Sequence, residues 1–181
     1  IIMNEIFSPE VKDCSVFKEI ALNIVNPLEI LREAISNSDD ANASLIYITI
    51  ERDCDGEFVI CIEDNGCGMN LEEIHKFFNL GFSKKENGKI GEKGLGSKIF
   101  YKSNKIYLET HSKEGNSYIA SMIDPWKTLE NGNIPKYKII NSKKILPRGT
   151  KIIINGYKID NPELFFNLES IKDYINWFTV G

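Results

Sequence analysis

The sequence predicts an α+β fold, a two-layer sandwich in which one mixed, mostly antiparallel sheet carries helices on one face. Two observations predict it. Short runs of strand-like residues recur and are mostly joined by hairpin turns, and the amphipathic helical patterns cluster early in the chain. A third bounds it: 181 residues, 42% of them hydrophobic, fit one domain with a sizeable core.

Pro9 precedes a helix expected over residues 11–23. Pro27 suits the first turn of a second helix, where its missing N–H costs nothing. Ile24, Leu28, Leu31 and Ile35 then fall on one side of that helix. Residues 44–51 and 57–63 read as two strands of a hairpin whose turn is Cys54-Asp55-Gly56. A loop from Asp64 leads into a helix over residues 71–79. Residues 81–96 have five glycines, four lysines and little pattern, and read as a mobile lid. A helix is expected from there to residue 103, followed by strands at 105–110, 117–123, 137–140 and 150–154. Residues 112–116 read as a turn, 124–135 as a long polar connection, and 161–178 as an amphipathic helix.

Composition removes several classes. Charged residues make up 27% of the chain and the net charge is −4, so the chain as a whole has no electrostatic case for binding nucleic acid. No apolar run reaches the roughly 18 residues of a membrane span, and no secretory signal pattern is present. Cys14, Cys54, Cys61 and Cys67 form no CxxC pair, and His75 and His111 lack ligand-like spacing, which argues against structural zinc. Reduced thiols in a cytoplasmic protein are the expectation.

Three segments carry the chemistry. In residues 33–41 (EAISNSDDA), Glu33, Asn37 and Asp40 share one stripe of a helix, opposite its apolar side. Asn37 offers a neutral hard oxygen suited to Mg²⁺. Glu33, one turn earlier, is placed to deprotonate a water beside phosphates, with Asp40 fixing neighbours by hydrogen bonds. In residues 64–69 (DNGCGM), Asp64 ends an apolar strand and can accept a hydrogen bond from an exocyclic amine. Gly66 and Gly68 allow the backbone close to a flat base, and Met69 supplies an adaptable apolar wall. In residues 91–98 (GEKGLGSK), glycines open a helix whose free N–H groups suit phosphate, with Lys98 on its first turn and Lys84 or Lys93 reaching in from the lid. It matches neither a Walker A loop nor a Rossmann fingerprint. Taken singly, the three have ordinary readings as a helix's polar face, a surface turn and a flexible loop.

In this order, with Arg148-Gly149-Thr150 further on, the segments resemble the GHKL ATPases: gyrase B subunits, ninety-kilodalton heat-shock chaperones, histidine kinases and MutL. EAISNSDDA resembles their N-box, DNGCGM their DxGxG box, GEKGLGSK their second glycine box, and RGTKIIING their later Gly-Thr strand, over residues 29–155. The resemblance implies a Bergerat-type sandwich binding ATP (or ADP) and Mg²⁺ under a lid at residues 80–97. It implies Glu33 as general base, Asn37 as Mg²⁺ ligand, Asp64 on the adenine amine, Gly68 in the base pocket and Thr150 supporting the adenine end. Gly94, Leu95, Gly96 and Ser97 would turn backbone toward phosphate. Asp40 followed by Ala41 resembles the chaperone, gyrase and MutL branch, and Gly81-Phe82-Ser83-Lys84-Lys85 resembles the lid of MORC-type and related bacterial ATPases, where one of the lysines, Lys84 among the candidates, would touch phosphate.

The function so implied is ATP hydrolysis driving a conformational or dimerisation switch. The chain is expected to be one ATP-binding domain over residues 1–181, the N-terminal part of a longer, ATP-dependently dimerising protein whose downstream domains are not included. The family often takes a catalytic lysine or arginine from a second domain, so turnover by the isolated chain is expected to be slow. The alternatives are a nucleotide-binding sensor or scaffold with little hydrolysis, and a histidine-kinase catalytic domain, which the missing phosphoacceptor helix disfavours.

Overall fold

The computed structural model describes residues 4–9, 14–23, 26–79, 96–143 and 146–180. Seven strands form one sheet: β1 (Asn4–Phe7), β2 (Ile46–Arg52), β3 (Phe58–Asp64), β4 (Lys105–His111), β5 (Ser117–Ile123), β6 (Tyr137–Asn141) and β7 (Gly149–Asn155). Their order is β1-β6-β5-β4-β7-β3-β2. Every described pairing is antiparallel, so the sheet is more uniform than the mixed one expected.

Alternation sets which side is covered. Ile60, Ile62, Ile106, Leu108, Ala120, Met122, Ile139, Ile152 and Ile154 are buried, and cross-strand register places them on the same face. Their neighbours Cys61, Tyr107, Ile119 and Ile153 are only half-buried. The covered face shares one core with α1 (Ser15–Leu22), α2 (Glu29–Asp40) and α3 (Leu71–Phe78), through Phe17, Leu31, Ala34, Ile74 and Phe78. Each such side chain contributes about 1.5–3 kcal/mol on removal from water. This is the sandwich expected, with its helical layer on one face.

The buried stripe of α2 is Ile30, Leu31, Ala34 and Ser38, with Leu28 just before it. Ile35 is only half-buried, so the core side is rotated slightly from the one read in the sequence. α3 begins with a capping box. The Asn70 side chain accepts from the Glu73 N–H at 2.9 Å, and the Glu73 carboxylate accepts from the Asn70 N–H at 2.7 Å.

Three expectations change. The helix after the lid is a 3-10 helix, Gly96–Tyr101, because Ser97, Lys98, Ile99, Phe100 and Tyr101 are all buried and leave no polar face for an amphipathic α-helix. The connection at 124–135 contains α4 (Pro125–Glu130), with Pro125 at its first position and Leu129 buried, so the proline starts a helix there. β1 was not anticipated, because its residues lack the half-buried alternation of a strand; it holds to β6 as an edge. The C-terminal segment is helical as expected, with a short 3-10 turn at Pro162–Leu164 ahead of α5 (Leu168–Val180).

Candidate functional site

One end of the central strands, the α2 helix and the turn after β3 meet at a cleft of about 340 Å³. Glu33, Asn37, Asp40 and Ala41 line it from α2, Cys67, Gly68 and Met69 from the turn, Glu73, Lys76 and Phe77 from α3, and Ser97 from the 3-10 helix. A second hollow of about 330 Å³, walled by Asn26, Arg32, Gly96 and Ile99 among others, lies on the other side of Glu33. Glu33 therefore stands between two openings. A larger depression of about 850 Å³ beside β1 and β6 has no carboxylate, histidine or thiol in its lining.

Glu33, the fifth residue of α2, is half-buried. Burial raises its carboxyl pKa, with Asp40 adding to the rise, while a hydrogen bond with Asn37 and the charges of Arg32 and Lys98 pull the other way. The carboxylate accepts, so the Asn37 amide donates with its NH₂ and keeps its carbonyl oxygen for another partner. A neutral oxygen beside two carboxylates, Glu33 and Asp40, is a donor set that fits a hard divalent cation. Among the described residues no cluster of three His, Cys, Asp or Glu side chains could hold a metal by itself. Asp40 is exposed at the rim and acts on Glu33 through its charge.

Asp64 is not among the residues that line this cleft; with Gly149 and Thr150 it borders a separate small hollow of about 90 Å³. Its carboxylate accepts from the Gly66 N–H at 2.8 Å and from the Ser38 hydroxyl at 3.3 Å, and also from the Thr150 N–H. Burial nevertheless dominates and raises its pKa. Asp64 pairs with Thr150, which pairs in turn with Thr110, so three polar side chains stand in a row across β3, β7 and β4. Ser38 and Thr110 were missed in the sequence. Ser38 is the one polar residue on the buried stripe of α2, and Thr110 continues the inward alternation of Ile106 and Leu108; both were legible as polar residues at core positions.

The glycines also serve the protein's own packing. A Cβ on Gly66 would press on Ala41 and on the Asp64 carboxylate, and one on Gly68, whose φ is +69°, would collide with the His111 carbonyl. Both let one part of the protein approach another. Gly149, at φ +113°, brings β7 onto the Asp64 backbone in the same way. Gly96 has no room for a Cβ because the Glu33 carboxylate occupies that space. Gly96 thus lies directly against the Glu33 carboxylate through its backbone.

Lys98 is the clearest departure. Its ammonium is fully buried and donates to the Phe77 carbonyl at 2.6 Å and to the Ser97 hydroxyl at 2.7 Å. The Ser97 hydroxyl itself donates to the same carbonyl at 2.8 Å. Lys98 therefore pins the 3-10 helix to the end of α3 and does not line the cleft. Lys84, Gly94 and Leu95, and the lid expected over 80–97 except for Gly96 and Ser97, lie outside the described residues.

Burial pushes the Lys98 pKa down to about 7. Below that pH both the folded and unfolded chains hold the proton, and the cost of burying the charge is fully present. From pH 7 toward the ordinary lysine value only the unfolded chain holds it, so stability rises with pH. Urea unfolding is expected to show a gain of about 2–3 kcal/mol between pH 7 and 9.5, and Lys98→Met is expected to remove that slope. An equal slope in the variant would show that another group titrates.

No helix among the described residues is long and apolar enough to cross a membrane. A family model described as histidine kinase-, DNA gyrase B-, and HSP90-like ATPase matches residues 25–150. The chain is 29% identical over 188 residues to the chaperone protein HtpG of Rickettsia typhi, covering 83% of this chain and 28% of that protein. It is 30% identical over 186 residues to HtpG of Rickettsia canadensis, covering 80% of this chain and 28% of that protein. It is 26% identical over 179 residues to the DNA mismatch repair protein MutL of Petrotoga mobilis, covering 94% and 25%. The chain thus spans about a quarter of the length of these relatives.

Proposed function

Because the chain belongs to the histidine kinase-, DNA gyrase B- and HSP90-like ATPase family, we propose that it binds ATP in the cleft between α2 and the turn after β3 and hydrolyses it with Mg²⁺. The observation that carries this reading is the seating of Glu33. Its carboxylate packs on the Gly96 backbone, bonds Asn37 and borders two openings. A base in that position can take a proton from water on one side of a phosphate chain held on the other.

The base of the nucleotide lies toward Asp64, whose ionised carboxylate accepts from the exocyclic amine. Met69, half-buried and lining the cleft, packs on the ring with Ala41 and Gly68 behind it. The phosphates run past Asn37 toward the backbone of Gly96 and Ser97; the roles expected of Lys84, Gly94 and Leu95 fall outside the described residues. Asn37 would hold Mg²⁺ through its amide oxygen, and the ion would neutralise charge on the phosphate oxygens. Glu33 accepts the proton of the attacking water, its raised pKa making it a better base than an exposed glutamate. Lys98 works from behind, holding the turn that seats Glu33.

Nucleotide-driven closure and pairing of two copies would follow in the longer protein, as a switch. Both HtpG and MutL relatives extend well beyond the matched part, and the same engine would serve different downstream domains.

Calorimetric titration of the chain with ATP tests the reading. Saturable one-to-one binding is expected, tighter with Mg²⁺ than with EDTA, together with slow release of inorganic phosphate. Absence of heat and of turnover with either condition would sink it. Binding without turnover would leave a nucleotide sensor in place of the ATPase.

A further inference from the structure

The Thr110 hydroxyl carries three contacts at the buried end of the site. It accepts from the Met69 N–H at 2.8 Å, lies 3.0 Å from the Gly149 carbonyl and 3.2 Å from the Thr150 hydroxyl. A hydroxyl has one proton and two lone pairs. The Gly149 carbonyl can only accept, so the Thr110 proton goes there. One Thr110 lone pair takes the Met69 N–H, and the other is left for Thr150. The Thr150 hydroxyl must therefore donate to Thr110, and its own oxygen is left with lone pairs alone. Thr110 is 1% exposed, so no water competes for these positions.

From this geometry we infer that Thr110 is a specificity-determining positioning residue: it fixes the Thr150 proton so that Thr150, beside Asp64, presents only an acceptor to the ligand. This deepens the nucleotide reading and rests on it. Asp64 and Thr150 are register partners on the same face of the sheet. An ionised carboxylate and a hydroxyl with its proton already spent make an edge without donors. Such an edge takes a base bearing an exocyclic amine and disfavours one without it, which leaves the buried lone pairs unpaired. The same hydroxyl ties the Met69 backbone to β4, so the apolar wall and the polar edge are set by one side chain.

ATP and purine riboside triphosphate, which lacks that amine and keeps the same unprotonated ring nitrogens, are the probes. The ratio of their dissociation constants is read by calorimetry on the whole chain. The wild type is expected to favour ATP by about 100-fold or more. Thr110→Val frees the Thr150 hydroxyl to turn, and the ratio is expected to narrow by about tenfold. Thr110→Ser keeps the hydroxyl and should retain the wild-type ratio. A merely structural role would weaken both nucleotides in parallel and leave the ratio unchanged in Thr110→Val, which overturns the inference. Should Thr110→Val not fold, Thr110→Cys, whose thiol is of similar size but a weak donor and acceptor, decides the matter. Its ratio is expected to narrow likewise, and an unchanged ratio overturns the inference. A wild type that binds neither nucleotide overturns the nucleotide reading and this inference with it, whereas an ATP-selective wild type with ratio-neutral variants overturns the inference alone.

Discussion

Glu33→Gln is expected to lower ATP turnover by about 10²–10⁴-fold while leaving ATP affinity nearly unchanged. The amide keeps the volume that packs against the Gly96 backbone and keeps one oxygen to accept from Asn37, so the turn and the cation-binding oxygen stay where they are. What is lost is the lone pair that takes a proton. Burial already raises the Glu33 pKa, so replacing the carboxylate also relieves a desolvation cost, and thermal stability should hold or rise slightly. Glu33→Ala is the harsher variant, because it opens a void between two hollows and loosens Gly96 as well. Steady-state phosphate release and a binding titration on the same sample separate the two effects. Equal turnover in wild type and Glu33→Gln would remove Glu33 from the role of base. A parallel loss of affinity and turnover would make it a binding residue.

The residues differ in how plainly they spoke in the sequence. The strands of the covered face were legible because each alternates apolar residues with period two, and the register observed repeats that alternation across five strands. Helix α4 was hidden because Pro125 reads as a breaker unless its place at the first helical position is known. Strand β1 was hidden because an edge held by backbone pairing to one neighbour needs no side-chain pattern. In the site, the types and order of Glu33, Asn37 and Asp64 were legible because few side chains can do their chemistry. Lys98 misled for a physical reason. A lysine beside glycines signals phosphate by charge, but five consecutive buried residues at 97–101 put its stem in the core and its ammonium on a helix-end carbonyl. Glycine likewise marks closeness without saying to what. Gly66, Gly68 and Gly149 turned out to admit the protein's own Ala41, His111 and Asp64. Thr110 was legible as a polar residue at a core position, but its importance lies in proton direction, which only three-dimensional contacts reveal.

Asp64→Asn is the sharpest test of where the base of the nucleotide sits, with an expected loss of ATP affinity of about 10³-fold or more. The substitution is close to isosteric, and much of the local structure has a way to accommodate it. The Gly66 N–H, 2.8 Å from Oδ1, keeps an acceptor if the amide oxygen takes that position. Ser38 donates to the Ala34 carbonyl at 3.0 Å, so its oxygen can accept from the new NH₂ instead of donating to Oδ2. Folding stability is then expected to fall by about 1–2 kcal/mol at most. The ligand has no such freedom. An exocyclic amine that donated to a carboxylate would face an amide N–H, donor against donor, in a buried place where no water can intervene. The reversal predicts its own rescue, since the 6-oxo group of inosine triphosphate can accept from that N–H. Relative to wild type, Asp64→Asn should therefore shift its preference from ATP toward inosine triphosphate. Circular dichroism confirms that the variant folds, and calorimetry reads both nucleotides. An ATP affinity unchanged in a folded Asp64→Asn protein would place the base elsewhere in the molecule.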